Sequence, residues 1–545
     1  MKLEIFFYVF TTIFLYTFSQ KVNLSKTYKA AVVEYHTEDI DEIISDDEKI
    51  LIRAKNHIDL LQSIDEDLEI ILFPEKSLYS HENLANISSK IPKKMENICN
   101  SSDIQFKEYL KLFSCAASKY NTSIAINVIE KKQCSPEDMN NSCVEQVYYN
   151  TVVVFDNKGC LAGRYRKWNL FGEYQLTKPN IMDLTVITTK NNIKFGIFNC
   201  FDIMFDMPAL NLTRDLDIKN ILFPNNWISE LPYLTALQVQ QMWAQENNVV
   251  LLSSGQNNPK TGASGTGIYI VNYVVGNRGP LDFIFIGGAG GSSVIVKTVP
   301  NLLENKDIIN STVNQVYDTD TLAEGLDDFF LLRDLSMDDH TAILMPEYER
   351  LIEETVCNGD KDRICCHFKI SISTLPIIQR KHRYKYHMVA FNGVRSFSGL
   401  RNAGIESCGI VACLNESLSS CALRFPNYSE IYWPIVFDLI SIEANFSIDS
   451  KRIQYPSSLL TSLRPISPKC TTWETEKLPK YLRRKYTLNE AENRLLTFGI
   501  FGRDFNRDGD LIIPNAICKS TVASYATISI TIICNILFNY IKFNC

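Results

Sequence analysis

Three residues with reactive side chains close three apolar, strand-like runs in the first half of the chain. Glu75 ends DLEIILFPEKS, Lys167 stands in GRYRKWNLF, and Cys200 ends NIKFGIFNCFD. A carboxylate, an ammonium and a thiol can together run covalent acyl transfer. Only a few per cent of a thiol is ionised near neutral pH, so a base must take its proton. A neighbouring cation such as Lys167 favours the thiolate and is expected to lower the thiol pKa. Attack on an amide carbonyl builds charge on oxygen, where Lys167 and the backbone N–H of Phe201 can meet it. One such donor is worth roughly a hundredfold to a thousandfold in rate. The same carboxylate can protonate the leaving amine and then activate a water. Taken singly, each residue has a plainer reading: solvated loop glutamate, surface lysine, packed or disulfide-bonded cysteine. Their order and local words carry the case.

The elements that must hold these groups read as an α/β domain. From about Lys29 to Thr298 strands alternate with helices. YKAAVVEYH is a strand, and Ser45 with Glu48 forms a capping box opening a helix through Leu61. TVVVFDNKGCLAGRYRKWNLF is a hairpin turning at Asp156-Asn157-Lys158-Gly159. NILFPNNW, ELPYLTALQVQQMWAQENN and VVLLSSG make a β-α-β unit. Near-continuous apolar strands between helices indicate a sheet covered on its faces. We expect this domain over 28–300, a linker or excursion over 301–344, and a β-rich, disulfide-containing domain over 345–514.

Four stretches resemble the nitrilase superfamily, within it the vanin (pantetheinase) and biotinidase branch. They are FPE with Glu75, GRYRKWNLFGE with Lys167, FGIFNCFDIMFDMPA with Cys200, and LFPNNWISELP with Trp227. TGASGTGIY near Thr261 is similar to that branch too, and ICCHFKI, VAFNGVR and CGIVAC resemble its C-terminal domain. The resemblance implies a nitrilase-type α-β-β-α sandwich carrying a Glu75-Lys167-Cys200 triad. It also implies that Glu173 helps hold the lysine and the nucleophile. Arg166 departs from the pattern, since the branch usually has histidine before the lysine. Trp227 reads either as a wall of the acyl pocket or as a core tryptophan. The implied activity is hydrolysis of a linear amide in a small vitamin conjugate, such as pantetheine (to pantothenate and cysteamine) or biocytin, without cofactor or metal. A transferase using the same thioester and a catalytically silent binding ectodomain are the alternatives. A monomer or weak dimer is expected.

Other features concern location. Residues 1–20 have Lys2 and then an apolar run, as a secretory signal peptide does. Residues 515–545 end in an apolar tail without a basic cluster, which reads as a glycosylphosphatidylinositol anchor signal or, alternatively, a span. Sixteen cysteines suit disulfides in an exported chain; with Cys200 free and the tail cysteines set aside, an even number remains to pair. Candidate glycosylation sites are Asn23, Asn86, Asn100, Asn121, Asn140, Asn211, Asn310, Asn415, Asn427 and Asn445. A net charge of -7 argues against a nucleic-acid partner.

Several motifs are set aside. The histidines lie outside the words around Glu75, Lys167 and Cys200, which leaves a Cys-His mechanism without a nearby base. Cys365-Cys366-His367 is too tight for one zinc and suits disulfides. The GGAGG word at Gly287 reads as a hairpin turn. Asp504, Asn506, Asp508 and Gly509 copy the first half of a calcium loop, but its twelfth position is Asn515. An exposed turn is the expectation there.

Overall fold

The computed structural model describes residues 27–134, 146–272, 279–285, 291–301, 327–359, 363–376 and 382–512. The expected leader, the apolar tail, Asn23, Asn140, Asn310 and the GGAGG word up to Gly290 lie outside the described residues.

The first half runs β1 (Thr27–Glu34), α1 (Asp46–Gln62), β2 (Ile70–Leu72), α2 (Glu108–Lys119), β3 (Ser123–Gln133), β4 (Gln146–Phe155), β5 (Leu161–Arg166), β6 (Val186–Thr188), β7 (Lys194–Ile197) and β8 (Asn220–Asn225). It continues through β9 (Glu230–Leu231), α3 (Ala236–Asn247), β10 (Val250–Gly255), β11 (Thr266–Asn272), β12 (Gly279–Phe285) and β13 (Ser293–Pro300). These strands form two six-stranded sheets, ordered β13-β1-β2-β3-β4-β5 and β12-β11-β10-β8-β7-β6. The expected hairpin is β4-β5, and the β-α-β unit is β8-α3-β10 with parallel strands.

Alternation along β1 explains the layering. Ala30 and Val32 face the second sheet, packing in one cluster with Phe195, Ile197 and Phe223. Ala31 and Val33 face the other way and meet Ile50, Ala54 and Leu61 of α1 and Leu110 and Phe113 of α2. The Ser45–Glu48 capping box starts α1 as expected. The result is the α-β-β-α sandwich.

α3 is buried along nearly its whole length, including Gln238, Gln240, Gln241 and Gln245. It is packed between the second sheet and the C-terminal domain. Two of its glutamines reach across to that domain: Gln238 donates to Ser457 Oγ at 2.9 Å and Gln241 to the Ile466 carbonyl at 2.9 Å.

The second domain comprises β14 (Leu332–Arg333), β15 (Thr341–Leu344), β16 (Leu351–Asn358), β17 (Ile364–Thr374), β18 (Lys385–Phe397), β19 (Arg401–Cys413), β20 (Ile435–Ser447), β21 (Arg452–Leu460), β22 (Thr471–Lys477), β23 (Tyr481–Leu488) and β24 (Leu495–Asp504). Two five-stranded sheets, β15-β18-β19-β24-β21 and β16-β17-β20-β23-β22, enclose its core. β14 instead pairs in parallel with β9 of the first domain. The stretch read as a linker therefore includes strand pairing between the domains.

Adjacent cysteines in a strand point to opposite faces. Cys365 accordingly bonds Cys357 directly across the β16-β17 ladder, while Cys366 crosses the core to Cys408 on the other sheet. Cys99–Cys115 and Cys413–Cys421 are also bonded. Complete pairing does not hold, however: Cys160 and Cys470, like Cys200, are free thiols. Such disulfides are consistent with an extracellular or cell-surface location. Among the described residues no helix is long and apolar enough to cross a membrane. Asn86, Asn100, Asn121, Asn415, Asn427 and Asn445 are exposed, whereas Asn211 is half-buried and donates to Asp215.

The calcium-like loop is not a simple exposed turn. Asp504 is buried against Arg452 at 3.0 Å, and Asp508 pairs with Arg503 at 2.8 Å. Protein guanidinium groups occupy the carboxylates that a cation would need.

Candidate active site

Each of the three reactive side chains sits just beyond the end of a strand, where the sheet fixes the backbone and the chain then turns away. Glu75 follows β2. Its turn is held by Gln256, which donates to the Glu75 carbonyl at 3.0 Å, and by Ser77, which donates to the Pro74 carbonyl at 3.0 Å. The buried His57 closes that turn through an Nε2–Ser77 Oγ hydrogen bond of 2.8 Å. Burial pushes the His57 pKa down to about 3.

Lys167 is the first residue past β5, and its N–H still bonds the Asn150 carbonyl at 2.8 Å. Cys200 follows β7 and takes a left-handed φ of 49°, a conformation that costs a side-chain-bearing residue free energy. What holds it is Asp202. Its carboxylate accepts from the Asn199 N–H at 3.1 Å, the Tyr165 hydroxyl at 2.6 Å, and both the N–H and Nδ2 of Asn169 at 2.8 Å. Burial still raises the Asp202 pKa to about 6.

The turns converge. Lys167 Nζ donates to Glu75 Oε1 at 2.8 Å and to Glu173 Oε1 at 2.6 Å. Glu75 Oε1 also accepts from Asn150 Nδ2 at 2.8 Å and Asn199 Nδ2 at 3.0 Å, and Oε2 accepts the Asn226 N–H at 3.1 Å. The Cys200 thiol lies close enough to feel the charges of both the Glu75 carboxylate and Lys167. Glu173 additionally accepts from Asn150 Nδ2 at 3.1 Å and from the Phe171 N–H. Glu75, Lys167 and Cys200 are all buried.

The electrostatics set a resting protonation state. Burial works against the Lys167 ammonium, but Glu173 and Glu75 outweigh it and hold its pKa well above the ordinary value. Burial would raise Glu173; the Lys167 charge and hydrogen bonds instead lower it. Cys200 corrects an expectation. Burial and the Glu75 charge push its pKa well up, and the pull of Lys167 does not compensate. The thiol at rest therefore keeps its proton.

Cys200 opens into a narrow cavity of about 40 Å³, lined also by Phe171, Phe201, Asn226, Trp227 and Glu230 and, from the C-terminal half, by Leu332, Phe397 and Ser398. Trp227 is buried and lines the cavity at once; its Nε1 donates to the Leu234 carbonyl at 2.9 Å. Arg166 faces elsewhere. It forms a bidentate pair with Glu130 at 2.6 and 2.8 Å and stacks on Tyr149.

Sequence reasoning missed Asn150, Asn199 and Asn226. Asn150 left one signal, a lone amide inside the apolar β4, where burial demands a partner. It also missed the wall supplied by the second domain, where Phe397 packs on Phe201 with ring centroids 5.3 Å apart.

Residues 29–258 match the carbon-nitrogen hydrolase family, and residues 329–508 match the vanin C-terminal domain. The two matches put a carbon-nitrogen hydrolase domain ahead of a vanin C-terminal domain in this chain. Vanin-like protein 3 of Drosophila melanogaster is 29% identical over 495 residues, covering 88% of this chain and 90% of that protein. Pantetheinase of Bos taurus is 26% identical over 491 residues, covering 88% of each. A solved structure of Saccharomyces cerevisiae Nit3, a member of branch 10 of the nitrilase superfamily, aligns at TM-score 0.37 and 19% identity, over 52% of this chain and 92% of that one. This vanin-type hydrolase acts on carbon-nitrogen bonds of non-peptide amides.

Proposed function

We propose that this hydrolase cleaves the linear amide of a pantetheine-like conjugate through a thioester on Cys200. The observation that carries the reading is the buried Glu75–Lys167 pair, hydrogen-bonded at 2.8 Å, acting on the thiol of Cys200, which lines a cavity. Pantetheinases among the relatives supply the substrate class; biocytin is the competing conjugate.

The steps follow from the resting state. Glu75 is placed to accept the thiol proton as sulfur bonds the carbonyl carbon. Lys167 and the Phe201 N–H offset the charge gathering on the carbonyl oxygen. Collapse of the tetrahedral adduct breaks the carbon-nitrogen bond, and Glu75 returns the proton to the departing amine. A water then gives its proton to Glu75 and attacks the thioester, and the acid leaves as the thiol is restored. The high thiol pKa suits this order, because deprotonation is coupled to attack and no free thiolate stands exposed to oxidants. Glu173 and Asn150 act by positioning Lys167 and Glu75.

The leader and tail support export with a lipid anchor at the cell surface, and the exposed sequons support glycosylation. The test is a side-by-side assay of pantetheine and biocytin with wild type and Cys200→Ala. Release of cysteamine by wild type alone is expected. No turnover of either amide by an enzyme with an intact, reduced Cys200 would remove the reading.

A further inference from the structure

The cavity beside Cys200 is mostly aromatic and aliphatic, yet one of its walls is a carboxylate. Glu230 lines it next to Trp227 and Leu234 and is itself buried. It sits on the two-residue strand β9, pinned to β14 of the C-terminal half. An acidic side chain in such a place costs free energy unless something answers it.

The answer is partial. Arg395 NH1 contacts Glu230 Oε1 at 2.6 Å, but the same nitrogen also contacts Asp334 Oδ2 at 2.8 Å. Asp334 has its other oxygen filled by the Ser336 N–H and hydroxyl, at 2.8 and 2.7 Å. Arg395 is buried too, stacked over Phe397, which lines the same cavity. One guanidinium thus serves two buried carboxylates. Asp334 is saturated, and among the described residues no donor other than Arg395 reaches Glu230. Burial raises the Glu230 pKa, as an under-compensated charge requires.

We propose that Glu230 is a specificity-determining residue: it accepts a hydrogen bond from a donor group of the substrate, a hydroxyl or an ammonium, set away from the scissile amide. The substrate class is therefore linear amides with a donor-bearing chain, in preference to purely aliphatic amides of equal length. Arg395 and Asp334 are positioning residues that hold the carboxylate in the wall. This rests on the amidase reading above, and it ties substrate choice to the second domain.

The experiment uses the full-length enzyme and three matched amides whose chains end in methyl, hydroxyl or ammonium, prepared with the variable group on either side of the scissile bond. Wild type is expected to favour a donor-bearing amide over the methyl one by about tenfold or more in kcat/KM, the discrimination typical of a buried polar partner. In Glu230→Val that ratio should fall to about twofold or less. The isosteric Glu230→Gln should keep a preference for hydroxyl and lose one for ammonium, which separates hydrogen bonding from charge. Alkylation of Cys200 by a small neutral reagent reports whether each variant keeps its cavity. If no amide is turned over, the amidase reading fails by itself. Calorimetric binding of the same three amides to Cys200→Ala then still measures the preference. Absence of a donor preference in wild type, or its persistence unchanged in both Glu230 variants, overturns the proposal.

Discussion

Arg503 of the second domain donates from Nε to the main-chain carbonyl of Met204 at 3.0 Å, inside the turn that carries Cys200. Its other nitrogens bond the Gly404 carbonyl at 2.6 Å and Asp508 at 2.8 Å. Arg401 adds a bond to Asn169 Oδ1 at 3.0 Å, and both guanidinium groups flank the ring of Phe205. The turn that carries Cys200 is thereby clamped from the neighbouring domain.

Arg503→Ala should damage folding and turnover together. It leaves Asp508 and two carbonyls without their donor, a loss of about 3 kcal/mol or more for a broken buried pair. Denaturant midpoints check the stability. Steady-state kinetics should show kcat falling more than KM rises, because the segment that moves carries the Cys200 sulfur.

Lys167→Ala should lower kcat/KM by about a hundredfold to a thousandfold, the loss expected for one charge-stabilising donor. Glu75 and Glu173 would then face each other without a cation, which raises the cost of ionising Cys200 further. Alkylation of Cys200 should slow correspondingly. Labelling at the wild-type rate would mean the ammonium does not act on the thiol.

Stability should fall on acidification. His57 is buried and neutral, with a folded pKa of about 3 against 6.5 when unfolded. Between those values the unfolded state binds the extra proton, so stability is highest above pH 6.5 and lost as pH drops. Each pH unit in that window is worth about 1.4 kcal/mol at most. His340, lowered to about 4, adds to the effect. Asp202 opposes it: its folded pKa of about 6 exceeds 3.8, so its contribution weakens as pH rises across that interval. Urea titrations at pH 5 and 7 should show a smaller difference for His57→Gln than for wild type.

Removing the Cys366–Cys408 bridge as the double alanine variant should cost about 2–4 kcal/mol, since it ties the two sheets of the second domain across their core. The midpoint of thermal unfolding should drop. Removal of Cys470, a half-buried free thiol whose pKa burial raises to about 11, should cost less than loss of the bridge.

Local patterns made much of the molecule legible in sequence. The Ser45–Glu48 box, the Asp156–Gly159 turn and the apolar runs of β1, β4 and β8 depend on neighbours only a few positions away, so they name their own elements. The words around Glu75, Lys167 and Cys200 likewise carried the family resemblance. Adjacent Cys365 and Cys366 could be read as disulfide partners, though not with whom. Only tertiary structure decided what those groups experience. Asn150 reaches Glu75 because β4 and β2 flank β3, and Arg395 reaches Glu230 because β9 pairs with β14. The thiol pKa rises because the fold buries Cys200 beside the Glu75 carboxylate. Hydrogen bonds and charges act over a few ångströms of space whatever the distance along the chain, and a periodicity argument cannot see them.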